Sequence, residues 1–345
     1  MSFAAFPLWV NLLVFFVAAA VITVGGSRLA EYGDRLADCT GLGEALTGSI
    51  FLGLITALPG LAASVTAALA GHPALAISNA IGGIAIQTSF LAVADLFYTR
   101  ANLEHAAASV ANMIQTALLL ILLTLTLLGL SGPDFAVGHV HPVTPLLFFA
   151  AGFGILLVRR SRQKPMWQPQ STVDTVPDIP CPEASFEHLP KLLGVFFAWG
   201  ALVLGAGMIV ARSSVVIAAQ TGLSESLVGA LMTGTATSLP ELVTTIAAVR
   251  RGALTLAVSD IVGGNFFDIL FVFAADLVYF RGSIYHAPGV GNGERFLVAL
   301  TILLNIVLLL GLLYRQRHGP ANIGFESVLI LMIYLGGMVI MGLFM

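Results

Sequence analysis

Solid apolar runs separated by short polar interruptions fill the chain. Ten stretches stand out: 6–27, 42–70, 73–98, 106–131, 144–159, 191–212, 223–249, 253–280, 296–314 and 322–345. About 20 apolar residues in a helix cross the roughly 30 Å hydrocarbon core of a bilayer. A backbone in lipid must satisfy its own polar groups, so such runs form helices. The apolar–polar alternation of a membrane barrel strand is missing from the pattern. It predicts an all-α polytopic membrane protein of about ten transmembrane helices. The first run has no basic residue before it (Met1-Ser2-Phe3-Ala4), and is expected to be a retained span rather than a cleaved leader. Pro59 and Pro240 each fall well inside a run. A proline removes an amide donor and frees a carbonyl one turn upstream, so both spans are expected to break there.

Composition agrees. Hydrophobic residues make up 58% and charged residues 10% of the 345 residues, against roughly 45–50% and 25% in soluble proteins. Too few charges remain to coat a soluble enzyme, and the net charge of −3 leaves no basic patch for nucleic acid. Cys39 and Cys181 offer neither metal-ligand spacing nor a disulfide framework. The one long polar segment, 161–190, is rich in proline and follows Arg159 and Arg160; it reads as a linker. With ten spans, twelve of the 15 Lys and Arg residues fall on one side, and only Arg212, Arg281 and Arg295 on the other. The richer side is expected to be cytoplasmic. The linker then faces the cytoplasm, both termini lie outside, and a plasma or inner membrane is the expected location.

The chain repeats itself at a constant offset. Gly41-Leu42-Gly43-Glu44 matches Gly222-Leu223-Ser224-Glu225, Thr56-Ala57-Leu58-Pro59 matches Thr237-Ser238-Leu239-Pro240, and Ser78-Asn79 with Gly82-Gly83 matches Ser259-Asp260 with Gly263-Gly264. Ala94-Asp95-Leu96 matches Ala275-Asp276-Leu277. The expected division is a first repeat at 1–160 with core motif 41–97, the linker 161–190, and a second repeat at 191–345 with core motif 222–278. Five spans per repeat is an odd number, so the second copy enters from the opposite side. Inverted repeats of this kind place a substrate at the bilayer midplane, beside broken helices.

The intramembrane acids carry the chemistry. Glu241 follows Pro240 directly, and Asp268 lies within the next span. An unpaired acid at mid-bilayer costs about 2.5–3.5 kcal/mol or more. Neither has a Lys or Arg at its depth, so a bound cation or a proton is the economical partner. Hard cations take carboxylate, carbonyl and hydroxyl oxygens, which Thr56, Thr237 and Ser238 supply at the breaks. Asn79, Asp260 and Asn265 are candidates for lining the path. Glu44 and Glu225 suit helix N-termini, Asp95 and Asp276 suit the interface, and His139 and His141 suit a solvated loop.

Thr237-Ser238-Leu239-Pro240-Glu241 followed by Gly263-Gly264-Asn265-Phe266-Phe267-Asp268 resembles an alpha repeat of the cation/calcium exchanger superfamily, sodium/calcium exchanger type. The resemblance implies two repeats packed face to face around a cation site: Glu241 and Asp268 as metal ligands, with Thr237 and Ser238, and Gln87 and Thr56 from the first repeat. The chain departs from the pattern at Gly60, where the family usually has glutamate. It departs also at Ala57, where a hydroxyl is usual, and at Gly83 and Gly264, where serine is usual. Two carboxylates balance one divalent cation, two monovalent cations or two protons. The implied function is a secondary antiporter, not an enzyme, with no cofactor beyond its transported cations. It would move Ca2+ or a related cation against Na+ or H+ by alternating access, the first and sixth spans sliding past the site. Its partners are the lipid bilayer and small inorganic cations, not nucleic acid. A cation channel or uniporter, or a non-transporting degenerate member, stay open as alternatives. Gly60→Glu is expected to return the missing carboxylate.

Overall fold

The computed structural model describes residues 3–39, 53, 56–98, 101–107, 109–163, 167, 170, 189–317, 319 and 323–344. Glu44, Cys181, most of the 42–55 stretch and most of the linker lie outside the described residues. The described chain is helical; its β structure is one isolated bridge between Val137 and Val140. In chain order the helices are α1 (Leu8–Cys39), α2 (Leu58–Ala70), α3 (Pro73–Asp95), α4 (Val110–Ser131), α5 (Val143–Gln163) and α6 (Leu189–Thr221). The second half has α7, α8 (Leu239–Arg251), α9 (Leu254–Asp268), α10 (Leu270–Val278), α11 (Asn292–Tyr314) and α12 (Phe325–Phe344). Here α7 is three continuous pieces, Glu225–Leu227, a π-helical Val228–Thr233 and Gly234–Thr237. Among the described residues eight helical stretches are long and apolar enough to cross a membrane. The segments on either side of Pro240 supply a ninth run, and of the run around Pro59 the described part is α2.

Burial sorts the helices into two shells. α3 is 89% buried over its most apolar window, and the α9–α10 stretch 72%, whereas α6 is 28% buried. Trp9, Phe16, Phe149, Phe197 and Phe344 all stand largely exposed. So large an outward apolar surface belongs against lipid. The central helices are buried all round and so lack an amphipathic face.

The same contacts occur twice, at the same offset. A Cβ on Gly26 of α1 would lie 2.4 Å from Pro240, and a Cβ on Gly207 of α6 would lie 2.4 Å from the Pro59 carbonyl oxygen. Each long peripheral helix therefore crosses the break of the opposite repeat with no side chain between. Gly53 packs on the backbone of Gly263 and Gly264, and Gly234 on that of Gly82 and Gly83, with a Cβ again within about 3 Å. Small residues at such crossings let helix backbones approach closely.

Asp95 and Asp276 hold equivalent places near the ends of α3 and α10. Both are fully buried. Asp95 accepts from the amides of Leu103 (2.7 Å) and Gly324 (3.0 Å) and the Ser327 hydroxyl (3.1 Å). Asp276 accepts from the amides of Ile284 (2.9 Å) and His141 (2.9 Å) and the Thr144 hydroxyl (2.5 Å). Each satisfies unpaired donors at a helix start: Asp95 binds the first repeat to α12, and Asp276 binds the second repeat to α5. The His139–His141 loop differs from expectation. His139 is half-buried, and His141 is buried with its amide facing Asp276.

Candidate functional site

The breaks form where the prolines require them. Ser238 has φ −98° and ψ 2°, outside helical geometry, and Pro240 sits in the first turn of α8. Pro59 holds the same place in α2. Pro240 cannot donate to the carbonyl four residues before it, so α7 ends at Thr237 and α8 restarts at Leu239. The restart places Glu241 in the first turn of α8, where the helix dipole favours negative charge. The π-helical turn just upstream adds local irregularity of a kind frequent at functional sites.

Most of the residues singled out in the sequence converge here. The Gln87 amide nitrogen donates to Asp268 Oδ2 at 2.6 Å and to Ser238 Oγ at 3.0 Å. The Thr56 hydroxyl, from the first break, hydrogen-bonds the Glu241 carboxylate of the second. Thr237 Oγ1 lies 3.4 Å from Asn79 Oδ1. The Asn79 amide nitrogen donates to the Gly60 carbonyl (3.0 Å) and to Ser64 Oγ (2.8 Å). Gly83 and Gly264 both face the site. A Cβ on Gly83 would stand 3.4 Å from Ser238 Oγ and 3.5 Å from Asp268 Oδ2, and one on Gly264 would stand 3.2 Å from Gln87 Oε1. Two path candidates sit slightly apart. Asp260 accepts from Thr244 Oγ1 at 2.8 Å, and Asn265 donates to Thr88 Oγ1 at 3.2 Å. Ala57 is buried and brings no donor atom.

Glu241 and Asp268 are 1% and 2% exposed. Among the described residues neither forms an ion pair with Lys, Arg or His. Three oxygens around them are buried without a hydrogen-bond partner: Glu241 Oε2, Gln87 Oε1 and Asn265 Oδ1. Buried polar atoms are nearly always satisfied, so such a group marks a missing partner or a function. Orphaned acceptors, and not donors, call for a positively charged or proton-bearing ligand. Among the described residues no three His, Cys, Asp or Glu side chains are grouped to hold a metal by themselves. A cation here would need amide, hydroxyl and carbonyl oxygens beside the two carboxylates, as hard cations accept.

Sequence reasoning missed Ser64, Thr88, Thr244 and Phe271. Ser64 had a signal: it stands in repeat register with Thr245, and both hydroxyls are buried. Thr244 and Thr88 are ordinary helical threonines until their partners across the bundle are known.

A polytopic helical membrane protein with acids and breaks at its centre is a transporter by architecture, not an enzyme. The chain belongs to the sodium/calcium exchanger protein family, which matches residues 10–159 and 191–343. It is 26% identical to CaxA of Alkalimonas amylolytica over 329 residues, which is 94% of this chain and 96% of CaxA. Among solved structures it resembles the sodium-calcium exchanger NCX_Mj, with a TM-score of 0.63, 15% identity and coverage of 96% of this chain and 99% of that one. It also resembles the H+/Ca2+ exchanger CAX, with a TM-score of 0.70, 13% identity and coverage of 96% and 84%. At these identities the two structures bear on the fold alone.

Proposed function

We propose that this transporter exchanges one divalent cation, Ca2+ or a relative, for protons at the site between the two helix breaks. Glu241 and Asp268 are the charged ligands. Gln87, Ser238, Thr56 and Thr237 supply neutral oxygens, and Asn79, Asp260 and Asn265 line the approach. The observation that carries the reading is the pair of buried carboxylates with no cationic side chain beside them and three orphaned acceptor oxygens around them. Two carboxylates match the charge of one divalent cation. Two protons neutralise the same pair, so the site stays electroneutral in both loaded states. Gln87 suits both: its amide nitrogen faces Asp268 here, and rotating the amide would turn Oε1 to a cation.

Alternating access follows from the peripheral helices. α1 and α6 rest on the proline breaks through Gly26 and Gly207, where no side chain of the peripheral helix stands between the two segments. The Lys and Arg distribution supports a cytoplasmic linker and outward termini.

Calcium uptake into proteoliposomes, under an imposed pH gradient and separately under a sodium gradient, tests the reading. Uptake driven by the pH gradient alone is expected. Uptake driven only by sodium would overturn proton coupling. Equal uptake with no gradient of either counter-ion would make the protein a uniporter.

A further inference from the structure

The repeat offset pairs Gly60 with Glu241, yet the two positions differ in more than the side chain they carry. A Cβ on Gly60 would lie 2.6 Å from Phe271 Cε2, 3.2 Å from Cζ and 3.5 Å from Cδ2. Carbon atoms that do not share a bond settle at about 3.5–4.0 Å, so the nearest contact is a collision. The obstacle is the ring of a core residue only 5% exposed, not the free end of a long side chain. Phe271 stands in the first turn of α10, three residues after the ligand Asp268. The ring thus fills, from the second repeat, the space by which a first-repeat side chain would leave Gly60.

We propose that Phe271 is the specificity-determining residue of this site. Its ring takes the place of a first-repeat acid and holds the site at two carboxylates, which limits the cargo to two positive charges per cycle. This rests on the reading of Glu241 and Asp268 as cargo ligands. It also changes what Gly60→Glu does. Alone, that substitution restores no ligand, because the new chain and the ring compete for one space. Sequence comparison shows only the missing acid; the structure shows that its absence and the presence of the ring are a single feature.

The test is a double-mutant cycle on the full-length protein in detergent and in proteoliposomes, with Gly60→Glu, Phe271→Ala and the pair. The readouts are thermal midpoint, calcium affinity by titration calorimetry, and the net charge moved per calcium ion. Gly60→Glu alone is expected to lower the midpoint and to weaken calcium binding. In the double variant the midpoint should exceed the sum of the single effects, because the collision is relieved. Calcium should bind about tenfold tighter than in Gly60→Glu, a difference of about 1.4 kcal/mol, and the uptake should require one further positive charge. Gly60→Ala with and without Phe271→Ala repeats the stability arm should the glutamate variant fail to fold. Additive midpoints, or Gly60→Glu alone binding calcium as tightly as the double variant, would overturn the role of Phe271. Loss of any calcium-dependent stabilisation in the unaltered protein would instead overturn the reading of the site, whatever the cycle shows.

Discussion

The two helix breaks share a backbone and differ in chemistry. Around Pro59 the chain offers Thr56 and Ala57 before the proline and Gly60 after it; around Pro240 it offers Thr237 and Ser238 before and Glu241 after. One turn of the following helix contributes Gln87 in the first half and Asp268 in the second. All formal charge therefore comes from one repeat, while the other supplies an amide, a hydroxyl and a glycine crossing. The proline breaks and the glycine contacts on the opposite repeat are kept in both halves. The backbone crossings are thus kept in both copies, whereas formal charge is concentrated in one. The comparison makes a strong prediction. Glu241→Gln and Asp268→Asn should each abolish calcium-dependent stabilisation and calcium uptake, because each leaves one carboxylate against a divalent charge. Gln87→Leu should lower calcium affinity but leave measurable uptake, since it removes a neutral ligand. Uptake that survives either acid substitution would show that charge is not concentrated in the second repeat.

The next contrast is between the two buried aspartates. Each carboxylate accepts three hydrogen bonds from the starts of two other helical segments, and bonds to a charged group contribute about 1.5–3 kcal/mol each. Asp95→Ala and Asp276→Ala should each cost at least about 3 kcal/mol and lower the thermal midpoint with or without calcium. Asp276→Asn should be milder than Asp276→Ala. Its amide keeps one acceptor oxygen but turns an NH2 group toward the His141 N–H. If either alanine variant unfolds at the temperature of the unaltered protein, the tie between the repeats is not made at that end.

Much of this was legible in the sequence, and physics explains the boundary. Spans are read from local apolar runs, since lipid imposes one condition on every residue of a helix. Pro59 and Pro240 could be read because a proline acts on its own backbone. Glu241 and Asp268 could be read because a lone acid in lipid demands a partner. What escaped depends on contacts between distant segments. That Gly26 meets Pro240, that Asp95 holds α12, and that Phe271 covers Gly60 are each facts about two segments. For Asp95 and Asp276, nearness to a span end did not say that another helix covers that end.

The surroundings of the two aspartates also differ, with opposite consequences for pH. Glu104 lies outside the spans, buried beside the Glu326 carboxyl. Burial, reinforced by the charges of Asp95 and Glu326, holds its carboxyl well above the usual carboxylate range. The folded state then binds this proton more tightly than the unfolded state. Its stability contribution is present at low pH and is lost as pH rises through the raised value. At the other end, burial and the neighbouring His286 push the His141 imidazole below its ordinary value. The folded state there prefers the neutral ring, so stability is lost as pH falls through the ordinary histidine range. Glu104→Gln should therefore raise the thermal midpoint at neutral and alkaline pH and flatten its decline there. His141→Gln should flatten the decline between about pH 7 and 5. Midpoints measured across pH check both, and identical profiles for the two variants would refute the contrast.

The finest test concerns two glycines that are equivalent in the repeat but not in space. A serine at position 83 has room, since its Cβ would make only ordinary contacts at 3.4 and 3.5 Å with Ser238 and Asp268. Its hydroxyl would then stand beside a carboxylate and offer the site one more oxygen. At Gly264 the Cβ would meet Gln87 Oε1 at 3.2 Å, so the amide must give way before a hydroxyl can serve. Replacing glycine within a helix also gains a few tenths of a kcal/mol of helix propensity, the same in both variants. Gly83→Ser should thus keep or slightly raise the thermal midpoint and increase sodium-dependent stabilisation by a few fold. Gly264→Ser should gain less, or lose, because Gln87 is displaced from Asp268. The two serines compared by sodium titration isolate the placement of Gln87 from everything the repeat shares. Equal gains would mean that the amide is not held as the structure shows, and that the asymmetry of the site lies in its carboxylates alone.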